Sequence, residues 1–213
     1  MNDKQIEEKI IEILKKVNAV ITDEHFVYTS GKHGEVYINK DALYPHTQES
    51  SNVGLMFAES FKDFEIDVVA APALGGIILS QWTAHHLSKL KGNEVLGVYT
   101  EKDENKNQIF TRGYDKLIVG KNVLVIEDLT TTGGSVKKVV ETVKKAGGNV
   151  VAVGVMVNRN PSDINEEMMG VKFKALGTIP AKAYDESECP FCKEGRSINI
   201  IVGHGRKYVE NNL

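Results

Sequence analysis

The sequence predicts an α/β domain built on a mostly parallel, twisted sheet flanked by helices. Three observations predict it. Apolar, β-branched runs begin near Ile66, Glu94, Asn122 and Asn149, at closely even intervals. Helical stretches over about 77–90 and 135–146 fill two of these intervals, and Gly147-Gly148 supplies a stop for the second. The runs do not resemble one another in sequence, so the regularity belongs to a fold rather than to a repeat. Buried β-branched strands alternating with helices are what a parallel sheet with right-handed crossovers requires.

Composition sets the frame. The chain has 213 residues, 41% apolar and 26% charged, the balance of a globular domain with a substantial core. A net charge of −3 gives no electrostatic reason to expect nucleic acid or an anionic membrane as partner. The start, MNDKQIEEK, is polar and mixed in charge, unlike a signal peptide. No apolar run approaches the roughly 20 residues that cross a bilayer. The expectation is a cytoplasmic protein of one domain, with a core over about 48–178 and a small hood from about 1–45 and 179–213.

The elements follow in order. Ile6, Ile10, Ile13, Leu14 and Val17 have the spacing of an amphipathic helix over about 4–17. Residues 26–28 and 36–38 read as strands flanking a turn, Ser30-Gly31-Lys32-His33-Gly34. A second helix is predicted over 48–61, then strands at 66–70 and 150–157 frame the sheet. The interval 99–120, YTEKDENKNQIFTRGYDKLIVG, departs from the rhythm. It begins charged and Asn-rich and continues as a predicted strand pair, 109–111 and 116–118. A polar loop of this length in a small domain is usually functional.

The most informative segment is VLVIEDLTTTGGS at 123–135. It runs from a buried strand through two acids into a Thr/Gly-rich turn that opens a helix. At the carboxyl end of a parallel strand, side chains face the crevice where open α/β sheets bind ligands. The helix N-terminus offers unpaired N–H groups and a partial positive charge, which suit a phosphate dianion. Gly133 and Gly134 permit close backbone approach, and the hydroxyls add donors. Glu127 and Asp128 suit sugar hydroxyls or a hydrated Mg²⁺ instead. The segment is neither a Walker loop, which needs Gly-Lys-Ser/Thr, nor a dinucleotide fingerprint.

These residues resemble the motif by which type I phosphoribosyltransferases bind 5-phosphoribosyl 1-pyrophosphate (PRPP): four apolar residues, two acids, two variable positions, then Thr-Thr-Gly-x-Ser. The resemblance implies that Thr130, Thr131, Thr132, Gly133, Gly134 and Ser135 cradle the 5′-phosphate. Glu127 and Asp128 would hold the ribose hydroxyls. It also implies that Ala73, Leu74, Gly75 and Gly76, in APALGG at 71–76, bind pyrophosphate through backbone amides. Some members have a lysine where this chain has Leu74.

The segment FVYTSGKHGEVYINKD at 26–41 resembles the base-binding part of orotate phosphoribosyltransferases. Tyr37, Ile38 and Asn39 fall where that family lays an aromatic and Asn-containing strand on the pyrimidine. Thr29 stands where some members have lysine, and Lys32 and Lys40 are nearby basic candidates. Arg159, in VNRNP, resembles the arginine that faces the base, a fork suited to a carboxylate or carbonyl. By the resemblance Tyr37, Ile38, Lys40, Thr131 and Arg159 bind the base.

The 99–120 interval occupies the place of the family's mobile catalytic loop. Glu101-Lys102 and Arg112-Gly113-Tyr114 are similar to a second subgroup of orotate enzymes. That implies Lys102 and Arg112 as the cations that neutralise departing pyrophosphate, with Asp128 stabilising the positive ribose. It further implies Mg²⁺ as cofactor, held mainly by PRPP and water without a dedicated protein ligand set. The implied assembly is a homodimer whose loop 101–112 reaches the neighbouring site.

Other readings stay open at this level. The base could be a purine, or the fold could serve a PRPP-sensing regulator, although no spare domain or basic patch supports one. Cys189-Pro-Phe-Cys192 could be half of a zinc site, a redox pair or a structural feature, and His204 alone would leave a zinc ligand missing. His85 and His86 read as ordinary helix residues.

Overall fold

The structure, a computed structural model, describes residues 2–28 and 30–212, so Thr29, which stands where some family members have lysine, lies outside it. The chain opens with α1 (Asp3–Lys16), started by a capping box in which Asn2 and Gln5 exchange two hydrogen bonds of 3.0 Å. Short strands follow: β1 (Val20–Ile21), β2 (Phe26–Val27), β3 (His33–Gly34) and β4 (Tyr37–Ile38). Next come α2 (Thr47–Phe61), β5 (Val68–Pro72), α3 (Gly75–Lys91), β6 (Leu96–Lys102) and β7 (Gln108–Ile109). After α4 (Asp115–Ile118) come β8 (Asn122–Thr130), α5 (Gly134–Lys145), β9 (Asn149–Asn158), α6 (Glu166–Met169) and β10 (Lys172–Thr178). Two short helices close the chain, α7 (Pro190–Lys193) and α8 (Gly205–Asn211).

The main sheet has six strands in the order β10-β9-β8-β5-β6-β7. All pairs are parallel except β6 with β7. Alternation along each strand builds two cores. In β5, Val69 and Ala71 face α1, α2 and α3, whereas Val68 and Ala70 join Val136, Val139, Val140 and Val143 of α5 on the other side. The predicted mostly parallel sheet flanked by helices is present. The strand order also fixes where ligands bind. From β5 the chain steps to β6 on one side, then returns to β8 on the other and continues to β10. The order therefore reverses between β5 and β8, and a crevice opens beyond their carboxyl ends.

Three sequence expectations change. Residues 116–118 form part of α4 rather than a strand, because Ile118 is buried from a single helical turn and Gly120 ends it in the left-handed region, with φ +70°. The strand at 108–109 pairs back on β6 instead, at Glu101 with Ile109 and Lys102 with Gln108. Residues 26–28 and 36–38 do not pair with each other: β2 pairs with β3, and β4 pairs with β1.

The hood is narrower than predicted. Helix α1 belongs to the helical layer, since Ile10 packs on Gly177 of β10 and Glu7 accepts the Thr178 N–H at 3.0 Å. What stands over the sheet is the segment β1–β4, tied to the C-terminal part by bridges from His25 to Ile198 and from His33 to Tyr184. No helix among the described residues is long and apolar enough to cross a membrane.

Candidate active site

The crevice at the strand-order reversal has a volume of about 270 Å³ and is lined by residues from both carboxyl ends. From β5 and its turn come Pro72, Ala73, Leu74 and Gly75, and from β8 and its turn come Glu127, Asp128, Leu129 and Ser135. Lys40, Lys102 and Gln108 complete the wall. Half of the residues predicted to bind PRPP thus line one crevice: Ala73, Leu74, Gly75, Glu127, Asp128 and Ser135.

The two acids lie inside the end of β8, both buried. Asp128 accepts a hydrogen bond from the Tyr44 hydroxyl at 2.7 Å and pairs with Lys40 at 3.3 Å. Glu127 accepts the Asp128 N–H at 3.0 Å. Burial, with the charge of Asp128 beside it, pushes the Glu127 carboxyl well above the usual carboxylate range. Burial alone would lower the Lys40 ammonium, but Asp128 and Asp41 outweigh it and leave it above an ordinary lysine. Burial first, and then Asp128, raises the Tyr44 hydroxyl, so it stays a donor. Gly75 makes this cluster possible: a Cβ there would lie 2.2 Å from Asp128 Oδ2 and 2.3 Å from the Tyr44 oxygen.

The turn between β8 and α5 divides its labour. Thr130 is buried and its hydroxyl accepts the Gly133 N–H at 3.1 Å, so it shapes the turn instead of facing the crevice. Gly133 sits at φ +73°, and a Cβ on it would meet Met168 at 2.7 Å; its glycine is demanded by the turn and by α6. Thr131, Thr132, Gly134 and Ser135 are exposed around the start of α5. Across the crevice Leu74 is 82% exposed.

A second crevice, about 250 Å³, adjoins the first and shares Lys40 and Leu129 with it. Its other walls are Tyr28, Tyr37, Ile38, Asn39, Asp41, Thr131 and Arg159. Every residue predicted to bind the base therefore lines one pocket. The Arg159 guanidinium lies over the Tyr28 ring, 4.7 Å from its centroid, and its Nε is buried with no hydrogen-bond partner among the described residues.

Arg112 is not brought to the crevice. It pairs with Glu101 at 3.3 Å and lies over Tyr99, while Lys102 on the same hairpin lines the wall. Hydrogen bonding by Thr111, then Arg112, holds the Glu101 carboxyl below its ordinary value. The hairpin rests on its own α5, where Thr142 donates to the Gln108 carbonyl at 2.7 Å. Sequence reasoning missed Tyr28 as a wall residue, Tyr44 and Gln108. Tyr28 stood within the quoted base segment, but no local pattern marks the other two.

A sequence model of the phosphoribosyl transferase domain matches residues 39–175. The chain is 38% identical over 200 residues to the orotate phosphoribosyltransferase of Caldanaerobacter subterraneus subsp. tengcongensis, covering 94% of this chain and 98% of that one. It is 38% identical over 201 residues to that of a Thermoanaerobacter species, with the same coverage of 94% and 98%. In fold it matches a crystal structure of Mycobacterium tuberculosis orotate phosphoribosyltransferase, with a TM-score of 0.64 and 22% identity over 80% of this chain and 96% of that one. A strand-order crevice floored by paired acids, joined to an arginine-walled pocket, agrees with these relationships, and the chain belongs to the phosphoribosyltransferase family, among the orotate phosphoribosyltransferases.

Proposed function

We propose that this enzyme transfers the phosphoribosyl group of PRPP to orotate, giving orotidine 5′-monophosphate and pyrophosphate. The observation that carries the reading is the abutment of the two crevices at Lys40 and Leu129. A sugar over Glu127 and Asp128 and a base under Tyr37 and Arg159 would meet at that seam. The unpartnered Nε of Arg159 supports an anionic base, because a buried guanidinium donor gains from a carboxylate acceptor.

The chemistry asks for positioning and charge stabilisation. The bond from ribose C1 to the pyrophosphate oxygen breaks and the bond from C1 to orotate N1 forms. Exposed Thr131, Thr132 and Ser135, with the α5 N-terminus, hold the 5′-phosphate. Glu127 and Asp128 hold the ribose hydroxyls, and Asp128 faces the positive charge that develops on the sugar. Backbone amides of 73–76 receive the pyrophosphate, and Lys102 neutralises it. Two hard carboxylates at the floor of the crevice also suit Mg²⁺ carried in by PRPP and water, and a positive charge placed there would relieve the burial and the Asp128 charge that disfavour an ionised Glu127. When bound, Mg²⁺ supplies charge neutralisation on the leaving group.

We also propose the homodimer, with loop 101–112 serving the neighbour's site. The place of Arg112, outside its own crevice on an exposed hairpin, supports that reading. The deciding experiment incubates the purified protein with PRPP, Mg²⁺ and, separately, orotate, uracil, adenine and guanine. Pyrophosphate release with orotate alone is expected. Equal or greater release with a purine would overturn the assignment of the base.

A further inference from the structure

Away from the crevice, the CxxC motif meets two histidines that no local pattern joins to it. Cys189 caps α7 and Cys192 lies one turn later, so a single helical turn puts both thiols on one side. His25 precedes β2, and His33 begins β3. The four side chains offer His25 Nε2, His33 Nδ1 and two Sγ atoms, all within 4.8 Å of one another. His25, His33 and Cys189 are buried, Cys192 is half-buried, and both cysteines are free thiols. His204, the histidine weighed from sequence, is not in the group.

We propose that these four residues bind one zinc ion that fastens the hood. The distances carry the argument. Tetrahedral bonds of about 2.3 Å to sulfur and about 2.0–2.1 Å to nitrogen separate sulfur from nitrogen by about 3.5 Å. Here Cys189 Sγ lies 3.6 Å from His25 Nε2, and Cys192 Sγ lies 3.7 Å from His25 Nε2 and 3.3 Å from His33 Nδ1. The two histidine nitrogens are 2.8 Å apart, close enough to share one centre. A span under 5 Å fits a mononuclear site, and two thiolates with two imidazoles select zinc.

The surroundings orient the ligands. His25 Nδ1 faces the Arg196 carbonyl at 2.9 Å, which fixes its proton there and turns the Nε2 lone pair inward. His33 is held by two backbone bonds with Tyr184, of 2.8 and 2.9 Å, so both histidine-bearing segments are anchored to the cysteine-bearing one. An N–H on His33 Nε2 is accommodated beside the Tyr208 ring, whose centroid is 5.1 Å away, leaving Nδ1 for the metal. A redox pair is the weaker reading, since two buried histidines would then converge on the thiols without a task.

Metal analysis of the desalted protein should find about one zinc per chain. The double variant Cys189→Ser, Cys192→Ser should hold none, and His204→Ala should hold as much as the native chain. Because the double variant could fail to fold, chelator-stripped, reduced native protein should also be titrated with Co²⁺. Thiolate-to-cobalt charge-transfer absorption saturating at one equivalent is expected. No such absorption, or a Cys189–Cys192 disulfide found by mass spectrometry in metal-free active protein, would overturn the proposal.

Discussion

At the scale of the residue, Gly75 and Glu127 show how closely the floor of the crevice is drawn together. A single Cβ at Gly75 would push on Asp128 and Tyr44 at once. Gly75→Ala should therefore lower kcat/KM at least about tenfold, a transition-state loss near 1.4 kcal/mol, while far-UV circular dichroism stays native. Glu127 carries a different cost. Its carboxyl is raised above the ordinary glutamate value of 4.5 by burial and by Asp128. An acid of this kind favours folding fully only below that ordinary value, and the benefit is lost as pH rises through the folded value. Each unit of the rise costs about 1.4 kcal/mol once the group must ionise. Glu127→Gln should thus raise the melting temperature of the ligand-free protein at pH 8, with the gain fading below pH 4.5, and weaken PRPP binding. A variant no more stable at pH 8 would mean that Glu127 is accommodated as a charge. Arg159→Ala should raise the orotate KM much more than the PRPP KM, because only the base loses its partner; equal changes in steady-state assays would make Arg159 structural. These residues differ in how legible they were. Glu127 and Asp128 announce themselves by standing together after four apolar residues. Tyr44 reaches Asp128 across 84 positions of sequence, and nothing around it in LYPH marks that meeting.

At the scale of the element, the turn into α5 separates folding from binding. Gly133 cannot be tested cleanly, since its positive φ and its contact with Met168 would make any side chain disruptive. Gly134 can. Its nearest obstacle is the Thr132 hydroxyl, 3.6 Å from an added Cβ, and alanine suits a helix better than glycine by about 0.5–1 kcal/mol. Gly134→Ala should keep or raise thermal stability while weakening PRPP binding about tenfold or more by calorimetry. Unchanged affinity would move the phosphate away from this turn. The parallel strands and long helices were readable because many residues repeat one period, whereas the hood strands have two residues each and carry no period at all. Their pairing was misread for that reason. Residues 116–118 misled in another way: Leu117, Ile118 and Val119 form an apolar run with two β-branched residues, yet the turn of α4 buries only Ile118 and leaves Leu117 and Val119 exposed.

At the scale of the whole molecule, the proposed dimer makes a quantitative claim. If the hairpin carries Arg112 to the neighbour, inactive Arg112→Ala and Asp128→Ala chains should complement when exchanged. Each mixed dimer then has one intact site and one doubly damaged site, and random pairing returns about a quarter of native activity. Mixing without recovery, after exchange has been verified by mass, would keep the hairpin in cis. The bridges from His25 to Ile198 and from His33 to Tyr184 bear on biosynthesis. A nascent chain leaves the ribosome from its N-terminus, so β5, β8 and the turn into α5 can meet while 184–198 are still unmade. The roof over the base has to wait for partners made more than 150 positions after His25 and His33. Synthesis itself then imposes an order, in which a growing chain could grip a sugar phosphate before it could recognise the base that is to receive it.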